Sequence, residues 1–376
     1  MAPGRAVQYD PAMNSRRLHD ESGCRVRHGA ATLCSCAPLQ AGEHRPRDRT
    51  RKLVVQLGGT ALVVACLLAV PLALAQTYPS KPVKITMPHS GGSGPAIFMR
   101  LVADNLARLW HQQVIVENRP GASGAIAIEA VKAAAPDGYE LLGVADSHMT
   151  INPALYKHLP YDPLRDFVPV ALLFRAYFFV TVSTGGPYQT VPALIAAARA
   201  NPGKITYGSS YVGSPSHLGA ADFEYRTGTK MIHVPYKEQP QMYVAIANGD
   251  LDWAFSTIGS ALPLIKAGRI KVIALAAKRR IASAPDVPTI EEAGGPAGFE
   301  VESWVGLVAP RNTPPEIVRT INASVNQVTS EAEVLTRMDS FGYEQARMTP
   351  EDMAELVRAD TIKNAEIVKR SGATAD

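Results

Sequence analysis

Three short stretches of the chain consist of little but glycine and small hydroxyl or apolar residues, and each sits where an apolar run gives way to a helical pattern. They are Ser90–Gly94, preceded by His89; Gly121–Gly124; and Ser209–Ser216. Glycine-rich turns let a ligand approach the backbone, and a helix start presents unpaired N–H groups at the positive end of its dipole. Such a corner suits an anion. None of the three contains Lys or Arg, so a carboxylate there would be held by amides and hydroxyls. The contact residues expected on these grounds are His89, Ser90, Gly91, Gly92, Ser93 and Gly94 in the first corner. Ser123, Gly124 and Ala125 serve the second, and Ser210, Tyr211, Val212 and Ser214 the third. Ser147 and His148 follow another apolar run and join them, the histidines as polar contacts rather than bases. Glycine and serine also simply make turns; three such corners at one topological position favour a ligand cleft.

Catalytic readings fit less well. Ser210, His217 and His148 offer a nucleophile and bases, but no Gly-x-Ser-x-Gly elbow is present. Gly92-Ser-Gly94 with Glu117 makes a partial dinucleotide fingerprint, yet Ile97 stands at its third glycine position. Cys34 and Cys36 lack a second ligand pair at zinc-site spacing. No catalytic residue, no metal and no cofactor is expected.

The elements that would position the corners alternate between strand and helix. Val83–Met87 reads as a strand, and Pro95 opens a helix carrying Ile97, Phe98, Leu101, Val102, Leu106 and Leu109 at helical spacing. Val114–Glu117 is the next strand, Ala122–Gly124 opens a helix through Ala135, and Tyr139–Ala145 is a third strand. Ile205–Tyr207, Met231–Val234, Leu251–Phe255 and Ile270–Leu275 are further strands. Ser214-Pro215 caps a helix to about Arg226, and Thr349–Lys369 reads as a C-terminal helix. This alternation predicts an α/β fold with parallel sheet. No internal sequence repeat is visible.

Composition adds a compartment. The chain has 376 residues, 46% hydrophobic and 19% charged, with a formal charge of +4. The first 52 residues hold 10 of 38 basic and 5 of 34 acidic residues, which leaves the rest near neutral and gives a nucleic-acid partner no support. Residues 45–52 are basic, 53–74 uncharged, and Ala73-Leu74-Ala75 fits signal-peptidase cleavage after Ala75. A retained anchor, or a lipid at Cys66 within a lipobox-like Val63-Val64-Ala65-Cys66, are the rivals. Either way residues 53–75 direct the folded part out of the cytoplasm, and the periplasm is the expected location. No cysteine follows Cys66, so nothing downstream needs pairing there. Residues 1–52 read as an unstructured extension, with translation expected to start after residue 44.

From Tyr78 onward the sequence resembles the Bug-type substrate-binding proteins of the tripartite tricarboxylate transporter family. The segments that carry it are Tyr78-Pro-Ser-Lys-Pro82, Val116-Glu-Asn-Arg-Pro-Gly121, Ala135-Pro-Asp-Gly-Tyr139, Ile151-Asn-Pro-Ala-Leu-Tyr156 and Leu159-Pro-Tyr-Asp-Pro163. Ser216-His-Leu218, His233-Val-Pro-Tyr-Lys237, Ala261-Leu-Pro263, Asp286-Val-Pro-Thr289, and Ser303-Trp304 with Ala309-Pro310 follow in the same order. The resemblance implies a two-lobed, type II-like periplasmic-binding fold that closes a cleft on a small carboxylate. Two crossover strands, near Phe178–Ser183 and Val301–Leu307, would join a lobe of 77–180 plus 302–376 to one of 181–301. It also implies a non-enzymatic monomer that passes its ligand to inner-membrane permease subunits; a receptor-docking sensor would use the same chemistry.

The binding loops depart from the family pattern. Gly92-Ser-Gly-Pro95-Ala96 stands where Gly-Gly-Gly-Thr-Asp is usual, Ser123-Gly124-Ala125 replaces Gly-Gly-Asn, and Ser209-Ser-Tyr211-Val212-Gly213 replaces Ser-Ser-Gly-Asn-Gly. Phe255-Ser256-Thr257 replaces Phe-Asp-Asn, which with Tyr236 completes the expected contact set. A buried ammonium needs an acidic partner. Its loss at Ala96 and Ser256 argues against an amino acid, while Tyr211 and Val212 suit an apolar or aromatic body. The expected ligand is therefore a mono- or dicarboxylate of that kind; loops that have drifted in a redundant copy are the alternative.

Overall fold

A computed structural model describes residues 78–236 and 239–375. The expected export segment, the basic extension, all four cysteines and Lys237 lie outside them.

The chain begins with strand β1 (Val83–Met87), helix α1 (Gly94–Trp110), β2 (Val114–Asn118), α2 (Ala125–Lys132) and β3 (Glu140–Ala145). A π-turn (Ser147–Ile151) leads through α3 (Asn152–Leu155) and α4 (Pro163–Asp166) into β4 (Phe167–Tyr177). Phe178 alone separates β4 from β5 (Phe179–Ser183). Then come α5 (Val191–Ala200), β6 (Thr206–Ser209), α6 (Pro215–Thr227), β7 (Ile232–Pro235), α7 (Gln239–Asn248), β8 (Trp253–Ser256), α8 (Ile258–Lys266) and β9 (Ile270–Leu275). The chain returns through β10 (Glu302–Pro310), α9 (Pro315–Val328), α10 (Ala332–Phe341), β11 (Tyr343–Glu344) and α11 (Pro350–Ser371).

These strands form two sheets, ordered β11-β4-β10-β3-β1-β2 and β7-β6-β8-β5-β9. In the first, β1, β2 and β3 are parallel and β10 runs antiparallel between β3 and β4. In the second, β6, β7 and β8 are parallel and β5 runs antiparallel between β8 and β9. The expected parallel sheet is thus corrected to two mixed sheets. The physical reason is the chain path: the strand arriving from one sheet inserts backwards into the other. Leaving out the short β11, both sheets share one order, second-first-third-inserted-fourth, so the architecture repeats although the sequence does not.

The crossings are brief. The Phe178 N–H donates to Val301 O at 3.3 Å, and the Val301 N–H to Ala276 O at 3.0 Å. Phe179–Ser183 already belongs to the second sheet, and Glu302–Leu307 to the first. Side chains alternate across each sheet as the pleat requires. On β10, Val305, Leu307 and Ala309 enter one apolar cluster while Trp304 and Val308 enter another. On β8, Trp253 and Phe255 face one side and Ala254 the other. Both faces of each sheet are therefore covered, as parallel-rich sheets demand.

Helix starts follow the sequence signals. Ser93 caps α1, Ser214 caps α6 and Thr349 caps α11, each followed by proline in the first turn. The helix expected through Ala135 stops at Lys132.

Candidate ligand-binding site

The loops after β1, β2 and β3 leave the same edge of the first sheet and meet there. His89 lies edge-on to His148, with ring centroids 5.3 Å apart. Gly124 packs against both loops: a Cβ at its position would stand 2.8 Å from His148 Nε2 and 3.1 Å from Pro88 Cβ. Gly124 adopts φ +94°, and Ala122 and Ser123 are also left-handed. Glycine at 124 thus serves both the backbone turn and the close approach.

Residues that the sequence offers only as family markers turn out to brace these loops. Asn118 donates to His89 O at 2.9 Å and accepts from Arg100 at 2.6 Å, while Arg100 also donates to Gly91 O at 2.8 Å. Asn152 donates to Ser123 O at 3.2 Å and to the Tyr161 hydroxyl at 3.1 Å. Tyr161 in turn donates to His148 O at 2.8 Å, and Tyr156 bonds the Ser123 hydroxyl. Asn118, Asn152, Tyr156 and Tyr161 therefore hold all three loops through side-chain bonds.

The second sheet contributes from the loops after β6, β7 and β8. Tyr211 reaches across toward the Ser147 side chain, and burial raises its phenol pKa. The residue is nevertheless 49% exposed. Ser209, absent from the expected set, positions that loop: its hydroxyl bonds His233 Nε2 at 2.6 Å and Tyr211 O at 3.1 Å. Ser210 Oγ accepts from Gln239 at 3.0 Å, and Val212 stands partly exposed in the same loop. The Tyr236 N–H donates to Ser209 O at 2.9 Å.

Other expected contacts have structural partners. Ser93 and Ser214 are helix caps. A Cβ on Gly94 would stand 2.5 Å from the Tyr343 hydroxyl, so that glycine admits the C-terminal segment. Ser90 O accepts from Ser93, and Gly92 faces open space. Ser256 is buried and bonds Thr181 within the second sheet, while Thr257 bonds Ser260 at 2.8 Å. Ala125 begins α2.

The two histidines of the corner are uncharged near neutral pH. Burial pushes His89 down to about 4, and burial together with the neighbouring His89 pushes His148 down to about 3. His148 Nδ1 accepts from the Ala145 N–H at 3.2 Å, which leaves the ring proton on Nε2. Behind Ser147 lies Asp146, accepting from Ser303 Oγ at 2.6 Å; burial raises its pKa to about 7 against the pull of that bond. Trp304 Nε1 donates to Asp360 at 2.8 Å, so the Ser303-Trp304 pair ties β10 to Asp146 and to α11. A cavity of about 430 Å³ opens beyond Asp146, between α6 and α11, lined by Asp222, Arg226, Lys278, Glu302 and Lys363 among others. None of the expected contact residues lines it.

Two mixed α/β sheets joined by two short crossings, with loops from both meeting at small-residue corners, define a two-lobed solute-binding protein. The sequence agrees: a family model described as the tripartite tricarboxylate transporter family receptor matches residues 98–373, and the chain belongs to that family. The chain is 32% identical over 323 residues to a UPF0065 protein of Bordetella bronchiseptica, covering 85% of this chain and 95% of that one. Among solved structures it is similar to R. palustris Rpa4515 with adipate, at TM-score 0.72 and 31% identity over 79% of this chain and 99% of that one. It is also similar to MatC from Rhodopseudomonas palustris with bound malate, at TM-score 0.68 and 29% identity over 77% and 100%. The family is periplasmic. No helix among the described residues is long and apolar enough to cross a membrane.

Proposed function

We propose that this protein captures a small carboxylate in the periplasm, closing lobe 77–180 plus 302–376 on lobe 181–301, and delivers it to inner-membrane permease subunits. It acts as a monomeric receptor, not an enzyme, and residues 53–75 act as its cleaved signal peptide. The observation that carries this reading is the meeting of strand-end loops from both lobes, with Tyr211 of the second close to Ser147 of the first, at small-residue corners (Ser90–Gly94, Gly121–Gly124 and Ser209–Ser216) that contain no lysine or arginine. Backbone N–H groups, the hydroxyls of Ser90, Ser123, Ser147 and Ser210, and the rings of His89 and His148 supply the contacts. Tyr211 and Val212 supply an apolar wall for the ligand's body. The similar structures with adipate and malate point to the same chemical class.

Thermal unfolding against aliphatic and aromatic mono- and dicarboxylates, with amino acids as controls, tests the reading. At 100 times its dissociation constant a ligand adds about 2.7 kcal/mol, a shift of several degrees at this size. Stabilisation by carboxylates alone is expected; stabilisation by amino acids alone refutes the proposed ligand class.

A further inference from the structure

His89 Nδ1 is buried and has no hydrogen-bond partner among the described residues. A buried polar atom left without a partner is costly. In a solute-binding cleft such an atom marks a place that the ligand completes. The surrounding loops narrow what can complete it. Backbone N–H groups at a helix start and a left-handed turn favour an anionic group. The small-residue corners carry no lysine or arginine, and Arg119, at the start of the loop after β2, is already paired with Glu117.

Resting on the carboxylate reading above, we propose that the ligand's carboxylate enters together with one proton, which is held on His89 and forms an ion pair with it. The balance is simple: one carboxylate, one neutral imidazole and one proton from solvent give a carboxylate–imidazolium pair, with no bond in the ligand broken. The site thereby gains a cation only when the anion is present. An empty lobe avoids burying a permanent charge, which would be costly without its partner.

The proton goes to His89 rather than His148 for a geometric reason. His148 Nδ1 already accepts from the Ala145 N–H, so protonating it breaks a bond. His89 Nδ1 gives up nothing. The other ionisable groups around the corner do not replace it. Arg100 is bonded to Gly91 O and Asn118, and Arg119 is paired with Glu117 at 2.8 Å. Tyr156 bonds Ser123, and burial raises the Tyr211 phenol pKa, so neither supplies a cation. Asp146, behind Ser147, is bonded to Ser303 and could add only negative charge. Burial keeps His89 uncharged in the empty site, which is the starting state the uptake needs.

Calorimetry of adipate and malate binding to the whole protein at pH 6.5, in two buffers of different ionisation enthalpy, counts the protons. Uptake close to one per ligand is expected, with the dissociation constant rising toward tenfold per pH unit between pH 6 and 7.5. His89→Asn, which keeps a hydrogen-bonding group, is expected to bind with uptake near zero; His148→Gln is expected to retain the uptake. Binding by the unaltered protein with no proton uptake overturns the inference and leaves the carboxylate reading standing, as does uptake that survives in His89→Asn. Failure of either acid and of every other carboxylate in the panel to bind overturns both.

Discussion

Lobe closure rests on glycines that face the opposite lobe, and Gly259 offers the cleanest way to perturb it. Gly259 is the second residue of α8, on the second lobe, and it meets the C-terminal end of α10 on the first. A Cβ built there stands 2.7 Å from Phe341 O and 2.9 Å from its carbonyl carbon and Cα. Ordinary contact begins at 3.4 Å, so Gly259→Ala forces the two lobes apart locally by about 0.7 Å. The obstacle is backbone, which cannot rotate aside. Within its own lobe the change is harmless: Gly259 has helical φ, and alanine favours a helix by up to about 1 kcal/mol over glycine. Overpacking costs about 1–3 kcal/mol, and here only the closed form bears it. Binding that requires closure therefore weakens about 5- to 150-fold. Adipate titration by calorimetry reads the affinity, and unfolding without ligand reads the stability. An unchanged or slightly raised Tm with weakened binding is expected. Unaltered affinity refutes the claim that the closed contact of α8 with α10 is needed to hold ligand.

Tyr211→Phe removes the hydroxyl that lies near Ser147 across the cleft; losing about 1 kcal/mol of closure weakens carboxylate binding roughly fivefold, and unchanged or tighter binding in the same titration counts against this contact. Glu302→Gln leaves Arg175, whose side chain is 18% exposed and bonds both Glu302 oxygens at 2.7 Å, without its counter-charge. A loss of about 3 kcal/mol in urea unfolding is expected, and a change under about 1 kcal/mol, the size of an exposed pair, refutes the assignment of that pair as a structural tie beside the crossings. Acid also destabilises the empty protein through His89 and His148. Their folded values of about 4 and about 3 lie below the ordinary 6.5, so the folded state resists protons that the unfolded chain accepts. The associated stability is fully present above pH 6.5 and falls toward pH 4 by about 1.4 kcal/mol per pH unit for each ring. Asp146, raised to about 7, works in the opposite direction over the same window. His217 and His233, lowered to about 4 chiefly by burial, add to the fall. A net fall in Tm from pH 6.5 to 5 is expected, lessened by adipate and in His89→Asn; a fall as large in His89→Asn refutes the neutral assignment of His89.

Local signals made the helix starts legible, because caps and prolines act within three or four residues. Ser93, Ser214 and Thr349 all cap as their sequence contexts imply. The strand-end corners were legible for the same reason. What lay beyond reach depends on register and on distant partners. Ser256 illustrates the first: β5 and β8 pair Phe179 with Ser256 and Thr181 with Ala254, which sets Ser256 diagonally beside Thr181 and turns its hydroxyl into the sheet. No pattern in either strand alone fixes that pairing. Asn152 and Tyr161 illustrate the second. They hold loop backbone 29 and 13 residues away, so their polar groups have no local signature.

The repeated sheet order shows the same limit at the scale of the fold, and it bears on function. Each lobe is completed by a strand that belongs, by chain path, to the crossing from the other: β5 in the second sheet and β10 in the first. Neither sheet is whole without the crossing, so the hinge is built into both cores rather than hung between them. Ser303 and Trp304, at the start of β10, carry this coupling toward the ligand. One bonds Asp146, the neighbour of Ser147, and the other bonds Asp360 on α11. Rotation at Val301 therefore moves a strand whose next residues are tied to the turn that Tyr211 engages. The proposed ligand contact Ser147 and the crossing at Val301 are thus linked through Asp146 and Ser303, although neither Ser303 nor Trp304 is among the expected ligand contacts.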